Sequence, residues 1–301
     1  MRSLDPKELK TAELHQYLLG IVAPRPIAFA STLDEEGRAN LAPYSFFNCF
    51  SSNPPILVFS SNRRVANNTT KDTLHNVEVT GEVVINAVSY AIVRQMALAS
   101  VEFPLNESEF EQTGLTPIPS EVVKPFRVKE SPAQLECVVR QIIPLGDQGG
   151  AGHLIISEVV RVHVRENILD EKDRINPHKI DLMGRMGRAF YTRASGEAIH
   201  RIYQPVKPLP IGYAQLPESV RHSTVLTGND LGRLAAILEA PTDPSLQKLR
   251  QENARVQEAL AREKPLEALH QYAQIELAKD NAELAARIAW LGEALFGKDG
   301  R

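Results

Sequence analysis

Short apolar runs separated by turn-forming residues fill the first two-thirds of the chain. Runs of β-branched and aromatic residues bounded by Gly, Pro, Asn, Asp and Ser are strand signals. They predict strands over 26–32, 41–49, 55–61, 77–88, 134–144 and 153–165. The run VVINAV at 83–88 is apolar apart from Asn86, the pattern of a strand buried on both faces. Between the strands, 89–98 and 108–114 predict short helices, and Pro6 opens another that runs to Leu18. Closely spaced short strands with few long helices favour a barrel over a doubly wound sheet. The expected class is therefore mainly β, a barrel with peripheral helices.

The pattern changes after residue 204. Pro205, Pro208, Pro210 and Pro217 fall close together and read as a linker or extended arm. TGND at 227–230 then precedes a short helix, with Asn229 or Asp230 as its expected cap. Further on, Leu246, Leu249, Asn253, Val256 and Leu260 recur at alternating spacings of three and four, a heptad seam. A second helical pattern runs from Pro265 to about 296, with Leu277, Leu284, Ile288, Leu291 and Leu295 on one face. The expected organisation is a barrel domain over 1–204, a Pro-rich linker with a short helix over 205–243, and a helical extension over 244–301. That extension reads as a hairpin turning at Pro265 or as a short coiled coil, in which Asn253 would set register and oligomer number.

Composition narrows the function classes. The chain of 301 residues is 43% apolar and 24% charged, which suits a globular protein with a sizeable core. A net charge of −3 argues against nucleic acid as a partner. Two distant cysteines, Cys49 and Cys137, fit a reducing compartment better than a disulfide framework. The opening MRSLDPKELK lacks the apolar core of a signal peptide, and no apolar run approaches a membrane span, so the cytoplasm is expected and a membrane is not. The eight histidines include no pair at metal-ligand spacing, and neither a GxSxG elbow nor a P-loop occurs. No metal is expected.

Chemistry concentrates in 24–61. Its centre, NLAPYSFFN at 40–48, mixes amides, hydroxyls and aromatics without strand alternation, a composition suited to a flat polar ligand. Downstream, Lys71-Asp72-Thr73 follows a polar turn carrying Arg63 and Arg64. Lys71, Thr73 and the backbone N–H groups of a following helix would make an anion site. The same residues also read as a solvated helix start capped by Asp72 or Thr73.

Taken in order, PRPIAFAST at 24–32, NLAPYSFFN at 40–48, SSNPP at 51–55, Ser60-Ser61, Lys71-Asp72-Thr73, Asn76 and Gly81 resemble the flavin reductase-like FMN-binding split barrels, especially the flavoredoxin-like branch. The resemblance covers about residues 1–204 and implies a six-stranded antiparallel Greek-key split β-barrel, usually a homodimer with FMN near the subunit interface. It assigns flavin contacts to Ser31 and Thr32, and the ring and ribityl chain to Asn40, Ala42, Ser45, Phe46, Phe47 and Asn48. Ser60, Lys71 and Thr73 would receive the phosphate. GGAGH at 149–153 resembles the Gly-rich turn and histidine that lie near the flavin and nicotinamide in this family, which makes His153 the catalytic candidate. In MGRMGRAFY at 183–191, Arg185 and Tyr191 would approach the ring or a nicotinamide phosphate, or else close the barrel. The implied activity is an FMN-dependent reductase using NADH or NADPH, its electrons passing to free flavin or an acceptor protein. The alternative is an FMN electron carrier that docks a partner protein.

Overall fold

The computed structural model describes residues 1–104, 107–202 and 207–297. Their contacts divide the chain into two compact units, Met1–His200 and Arg201–Arg301. The boundary expected at 204 falls within 203–206, outside the described residues.

In the first unit, a 3-10 turn at Pro6–Glu8 precedes α1 (Thr11–Ile21), so the expected opening helix starts and ends a few residues later than Pro6 and Leu18. The polar turn at 34–37 closes a hairpin between β1 (Ala28–Leu33) and β2 (Ala39–Tyr44). Gly37 makes that turn at φ +79°, which glycine adopts without a steric penalty, and its N–H reaches the Asp34 carbonyl at 3.1 Å. Then come β3 (Phe47–Ser52), β4 (Pro55–Asn62), α2 (Asp72–Thr80), β5 (Glu82–Asn86), α3 (Val93–Leu98) and α4 (Glu109–Thr113). A small ladder pairs β6 (Pro117–Ile118) with β7 (Arg127–Val128). The long hairpin of β8 (Ala133–Pro144) and β9 (Gly152–Val164) follows. After it, α5 (Pro177–Ile180) leads to a second small hairpin, β10 (Met183–Gly187) with β11 (Phe190–Arg193).

Seven strands form one sheet in the order β2-β1-β5-β8-β9-β4-β3, each neighbouring pair antiparallel. The mainly β class and the antiparallel sheet with peripheral helices are as expected, but the strand count and closure are not. The expected strand 41–49 breaks at Ser45-Phe46 into β2 and β3, which become opposite edges, and no ladder joins them among the described residues. The β3–β4 pairing extends into the break, where the Ser60 N–H donates to the Phe46 carbonyl at 2.8 Å. The expected strand 77–88 is also corrected, because 72–80 form α2. Thr73, Leu74, Asn76 and Val77 supply a buried stripe at helical spacing, and Gly81 stops the helix in the left-handed region at φ +68°.

β1 is apolar at successive positions because both of its faces are covered. Ala28 and Ala30 point into one cluster with Leu57, Phe59, Val83, Ile85 and Ile155, and α2 adds Leu74 and Val77 to it. Phe29 points the other way, into a cluster with Leu41, Met96 and Phe110 beneath α3 and α4. Phe29 and Phe59 are essentially without exposed surface.

The second unit is helical, with α6 (Glu218–Arg221), α7 (Gly228–Ala235), α8 (Asp243–Glu252), α9 (Ala254–Leu260), α10 (Pro265–Ala278) and α11 (Ala282–Phe296) around one core. Leu216, Val220, Leu226 and Leu234 are buried in that core, so the stretch from Leu216 to Leu234 is packed structure and not an extended arm. Thr227 caps α7 by a reciprocal pair of bonds with Asp230, which places the cap before the expected Asn229 or Asp230. The heptad seam is interrupted. Asn253, at φ −97° and ψ 105°, ends α8 and caps α9, its side-chain oxygen accepting the Val256 N–H at 3.1 Å. A coiled-coil seam needs one unbroken helix, and here the polar seam residue is a cap. The chain turns at Pro265 as expected, and turns again at 279–281, where α10 gives way to α11.

Candidate functional site

The strand ends near α2 gather most of the residues singled out in the sequence. The Asn40 amide donates to the Thr32 hydroxyl at 3.1 Å and to the Thr73 hydroxyl at 2.8 Å, and the Asn76 amide donates to Thr32 at 3.0 Å. Thr32, Asn40, Thr73 and Asn76 therefore form one network that ties β1 and β2 to the first turns of α2. Thr73 is spent on this network and does not cap the helix. Lys71 occupies the cap position, and its side chain makes no capping bond.

Lys71 lies over Tyr44, its ammonium 5.2 Å from the ring centroid. Its pKa is lowered, first by burial and then by the neighbouring Arg64, against the pull of Glu102. Arg64 is held by the Thr69 hydroxyl at 3.1 Å and by the Thr70 carbonyl. Arg64 Nε is also ion-paired with Glu102, whereas Lys71 makes no ion pair among the described residues, so its ammonium is the charge left for an anion at the start of α2.

Tyr44 sits below this pair, 5.2 Å from the Phe59 ring. Burial pushes its phenol up to about 12, and the hydroxyl faces the Thr73 and Ser61 side chains without completing a bond to either. The hydroxyls of Ser31, Ser61 and Ser157 are likewise buried without a hydrogen-bond partner. Buried polar atoms are normally satisfied, and the Tyr44 and Ser61 hydroxyls, which lie together near Lys71, are the pair that a ligand there would satisfy.

On β4 and β9, Ser61 stands opposite His153 in the ladder, and opposed residues share a face. His153 is buried, its Nδ1 donating to the Ser61 carbonyl at 3.3 Å, which leaves Nε2 of the neutral ring as an acceptor. Ser60 points to the other face, where its hydroxyl donates to Asn62 Oδ1 at 2.9 Å. Gly152 is required there, because a Cβ at this position would come within 2.4 Å of the Ser60 hydroxyl. The structure thus separates Ser60 from the Ser61–His153 face.

The break between β2 and β3 places the remaining candidates. Ser45 Oγ accepts a long bond from Arg25 Nε at 3.4 Å, while Phe46 meets the His15 ring edge-on at 6.1 Å. Ala42 and Phe47 pack against the interior cluster, and Asn48 is exposed on the β3 edge. Residues Pro43, Tyr44 and Ser45 also line a cleft of about 180 Å³ with Ile27, Met96, Ala97, Ser100, Arg185 and Tyr191. The structure therefore brings the Arg185–Tyr191 segment to the 40–48 segment, as the sequence reading allowed. Residues not chosen from the sequence as site residues are Tyr44, Ser61, Arg64, Asn76 and Arg25. All five lay inside the resembling stretches or the polar turn, and only the fold shows where their side chains sit.

Unsatisfied hydroxyls beside a lysine at a helix start suit a phosphorylated, polyhydroxylated cofactor. Sequence comparison defines the class: residues 22–183, more than half of the chain, match the flavin reductase like domain, and the chain belongs to that family. An uncharacterized protein of Aquifex aeolicus (strain VF5) is 40% identical over 191 residues, which are 64% of this chain and 95% of that one. Among solved structures, nitrilotriacetate monooxygenase component B from Bacillus cereus is similar at a TM-score of 0.62 and 33% identity, covering 68% of this chain and 98% of its own. Pseudomonas fluorescens 2-nitrobenzoate 2-nitroreductase is similar at a TM-score of 0.60 and 29% identity, covering 68% of this chain and 98% of its own. Among the described residues, no helix is long and apolar enough to cross a membrane, and no group of three His, Cys, Asp or Glu side chains could hold a metal ion.

Proposed function

We propose that the first unit binds FMN and acts as an oxidoreductase, accepting reducing equivalents from NADH or NADPH and passing them to free flavin or another acceptor. The observation that carries this reading is the juxtaposition of Lys71, with Arg64 beside it, and the unsatisfied Tyr44 and Ser61 hydroxyls. FMN, when bound, supplies the hydride and electron chemistry, and the protein supplies binding, orientation and electrostatics.

In this reading Lys71, aided by Arg64 and the first N–H groups of α2, holds the phosphate. Thr32, Asn40, Thr73 and Asn76 keep the strand ends and the helix in register around it. Ser31, Ala42, Ser45, Phe46, Phe47 and Asn48 contribute to the ring and ribityl contacts. Asn48, Cys49 and Phe50 lie exposed along the unpaired edge of β3, the surface on which a second copy would complete the site. His153 keeps an Nε2 lone pair on the Ser61 face, where it can accept a hydrogen bond from the reduced nicotinamide. Ser60 points away from that face, and its role is to hold Asn62 and the start of β9.

Anaerobic addition of NADH, then of NADPH, to the FMN-loaded protein tests the reading. Fast loss of the visible flavin bands supports a reductase and identifies its donor. Bands that persist with both donors contradict the reductase and leave an electron carrier. The substitution His153→Ala should slow the bleaching and leave FMN affinity unchanged.

A further inference from the structure

The 180 Å³ cleft contains a cation that the protein itself does not satisfy. Arg185 lines it, stacked over the Tyr191 ring at 4.5 Å, and its Nη1 is buried without a hydrogen-bond partner. Behind it, Arg25 is buried and its guanidinium donates to the Leu19 and Val22 carbonyls at 2.6 and 2.5 Å. Neither arginine has a carboxylate within ion-pair distance among the described residues. Two guanidinium groups near each other, one with an unused donor, form an incomplete arrangement.

Arg185 is also fixed in position. Its N–H donates to the Arg25 carbonyl at 2.8 Å, and its carbonyl accepts the Arg25 N–H at 3.0 Å. Gly184 permits that approach, since a Cβ there would stand 3.1 Å from Thr192 Cγ2 and 3.2 Å from Pro24 Cβ. Gly187, at φ +98°, lies against the Leu19 carbonyl in the same way. The backbone of β10 is thereby locked to residues 19–25, and the guanidinium is held at the cleft.

The shape of the cleft narrows the ligand. Ile27, Pro43, Met96 and Ala97 give it an apolar patch within a lining that is otherwise polar. Benzene occupies a cavity of about 150 Å³, so the cleft has room for a single aromatic ring. A planar guanidinium fork matches a carboxylate in two parallel bonds, which a point charge does not.

We propose that Arg185, braced by Arg25, is the specificity-determining residue of this cleft and takes the carboxylate of a small aromatic acid whose ring lies between Pro43 and Met96. That this acid meets the flavin rests on the preceding reading; the recognition itself does not.

The test is calorimetric titration of benzoate and of the isosteric neutral benzamide into the FMN-loaded full chain, as wild type, Arg185→Gln and Arg185→Lys. A charge-assisted pair predicts that wild type prefers benzoate by about 10- to 100-fold. Arg185→Gln should abolish the preference, Arg185→Lys should keep part of it, and FMN affinity and melting temperature should stay unchanged in both. Equal affinity for the two probes, or no binding of either, overturns the proposal. So does loss of FMN affinity in Arg185→Gln, which would make the arginine a flavin ligand. Adenosine diphosphate binding more tightly than benzoate, with that binding lost in Arg185→Gln, would assign the arginine to the donor's pyrophosphate and overturn it equally. If the chain takes up no FMN, the flavin reading fails by itself, and the same titration on the flavin-free chain decides the role of Arg185.

Discussion

The Lys71 ammonium stands 5.2 Å over the ring of Tyr44, and the two residues come from different ends of the site. Lys71 belongs to the start of α2, and Tyr44 closes β2 just before the sheet splits. Through this contact the helix start, where an anion is favoured, joins the 40–48 segment, where a planar group is favoured. It also connects to the cleft, because Tyr44 and Ser45 form part of its lining.

Gly152 supports this arrangement by having no side chain. In Gly152→Ala the new Cβ would lie 2.4 Å from the Ser60 hydroxyl and force it away from Asn62. The expected loss is about 1 kcal/mol, the worth of one hydrogen bond. Urea unfolding checks this, and the loss should largely vanish when Ser60→Ala is added. A loss undiminished in the double variant would mean that the clash lies elsewhere.

Glu136 predicts an acid-sensitive step in the first unit. Its carboxylate has no exposed surface and accepts the N–H groups of Glu121, Val122 and Val123 at 2.9, 2.7 and 3.1 Å, with His163 Nε2 at 2.6 Å. Burial alone would raise its pKa; the Glu121 N–H, His163 and the Val122 and Val123 N–H groups overcome that and lower it from 4.5 to about 2. A depressed carboxylate stabilises the fold above its ordinary value, and that stability is lost as pH falls from 4.5 towards 2. Glu136→Gln should therefore destabilise the fold at pH 7, by a gap that narrows as the solution is acidified through this window. Denaturation midpoints at several pH values measure it. A gap independent of pH would remove the carboxylate from this role.

Asn253 separates two readings of the second unit. As a cap, its replacement in Asn253→Ala should cost about 1 kcal/mol of helical stability and leave the molar mass in solution unchanged. Light scattering after size exclusion reads the mass and circular dichroism the melting. A change of oligomer number would restore the seam reading against the observed break.

Much of the sheet was legible because its signals are local. The turn at 34–37, the doubly buried β5 and the strands β8 and β9 all follow from short runs and their punctuation. The helix at 72–80 was read in part as strand because Val77 and Val79 are β-branched, and only burial of the 73, 74, 76 and 77 stripe shows the helical period. The β10–β11 hairpin was missed for another reason. Its glycines at 184 and 187 answer to close packing on residues 19–25, a long-range constraint that leaves no local pattern. The candidate site divides likewise: Asn40, Thr73 and Lys71 lay in a recognisable order, whereas the approach of Arg185 to Tyr44 depends on the fold.

The flavin site itself is tested most directly by the affinities of FMN and riboflavin for the wild type and for Lys71→Ala, read by quenching of flavin fluorescence. Lys71 as the phosphate partner predicts that the substitution weakens FMN by about 10- to 100-fold and leaves riboflavin little changed. Equal weakening of both flavins, or no preference for FMN in the wild type, would contradict the account.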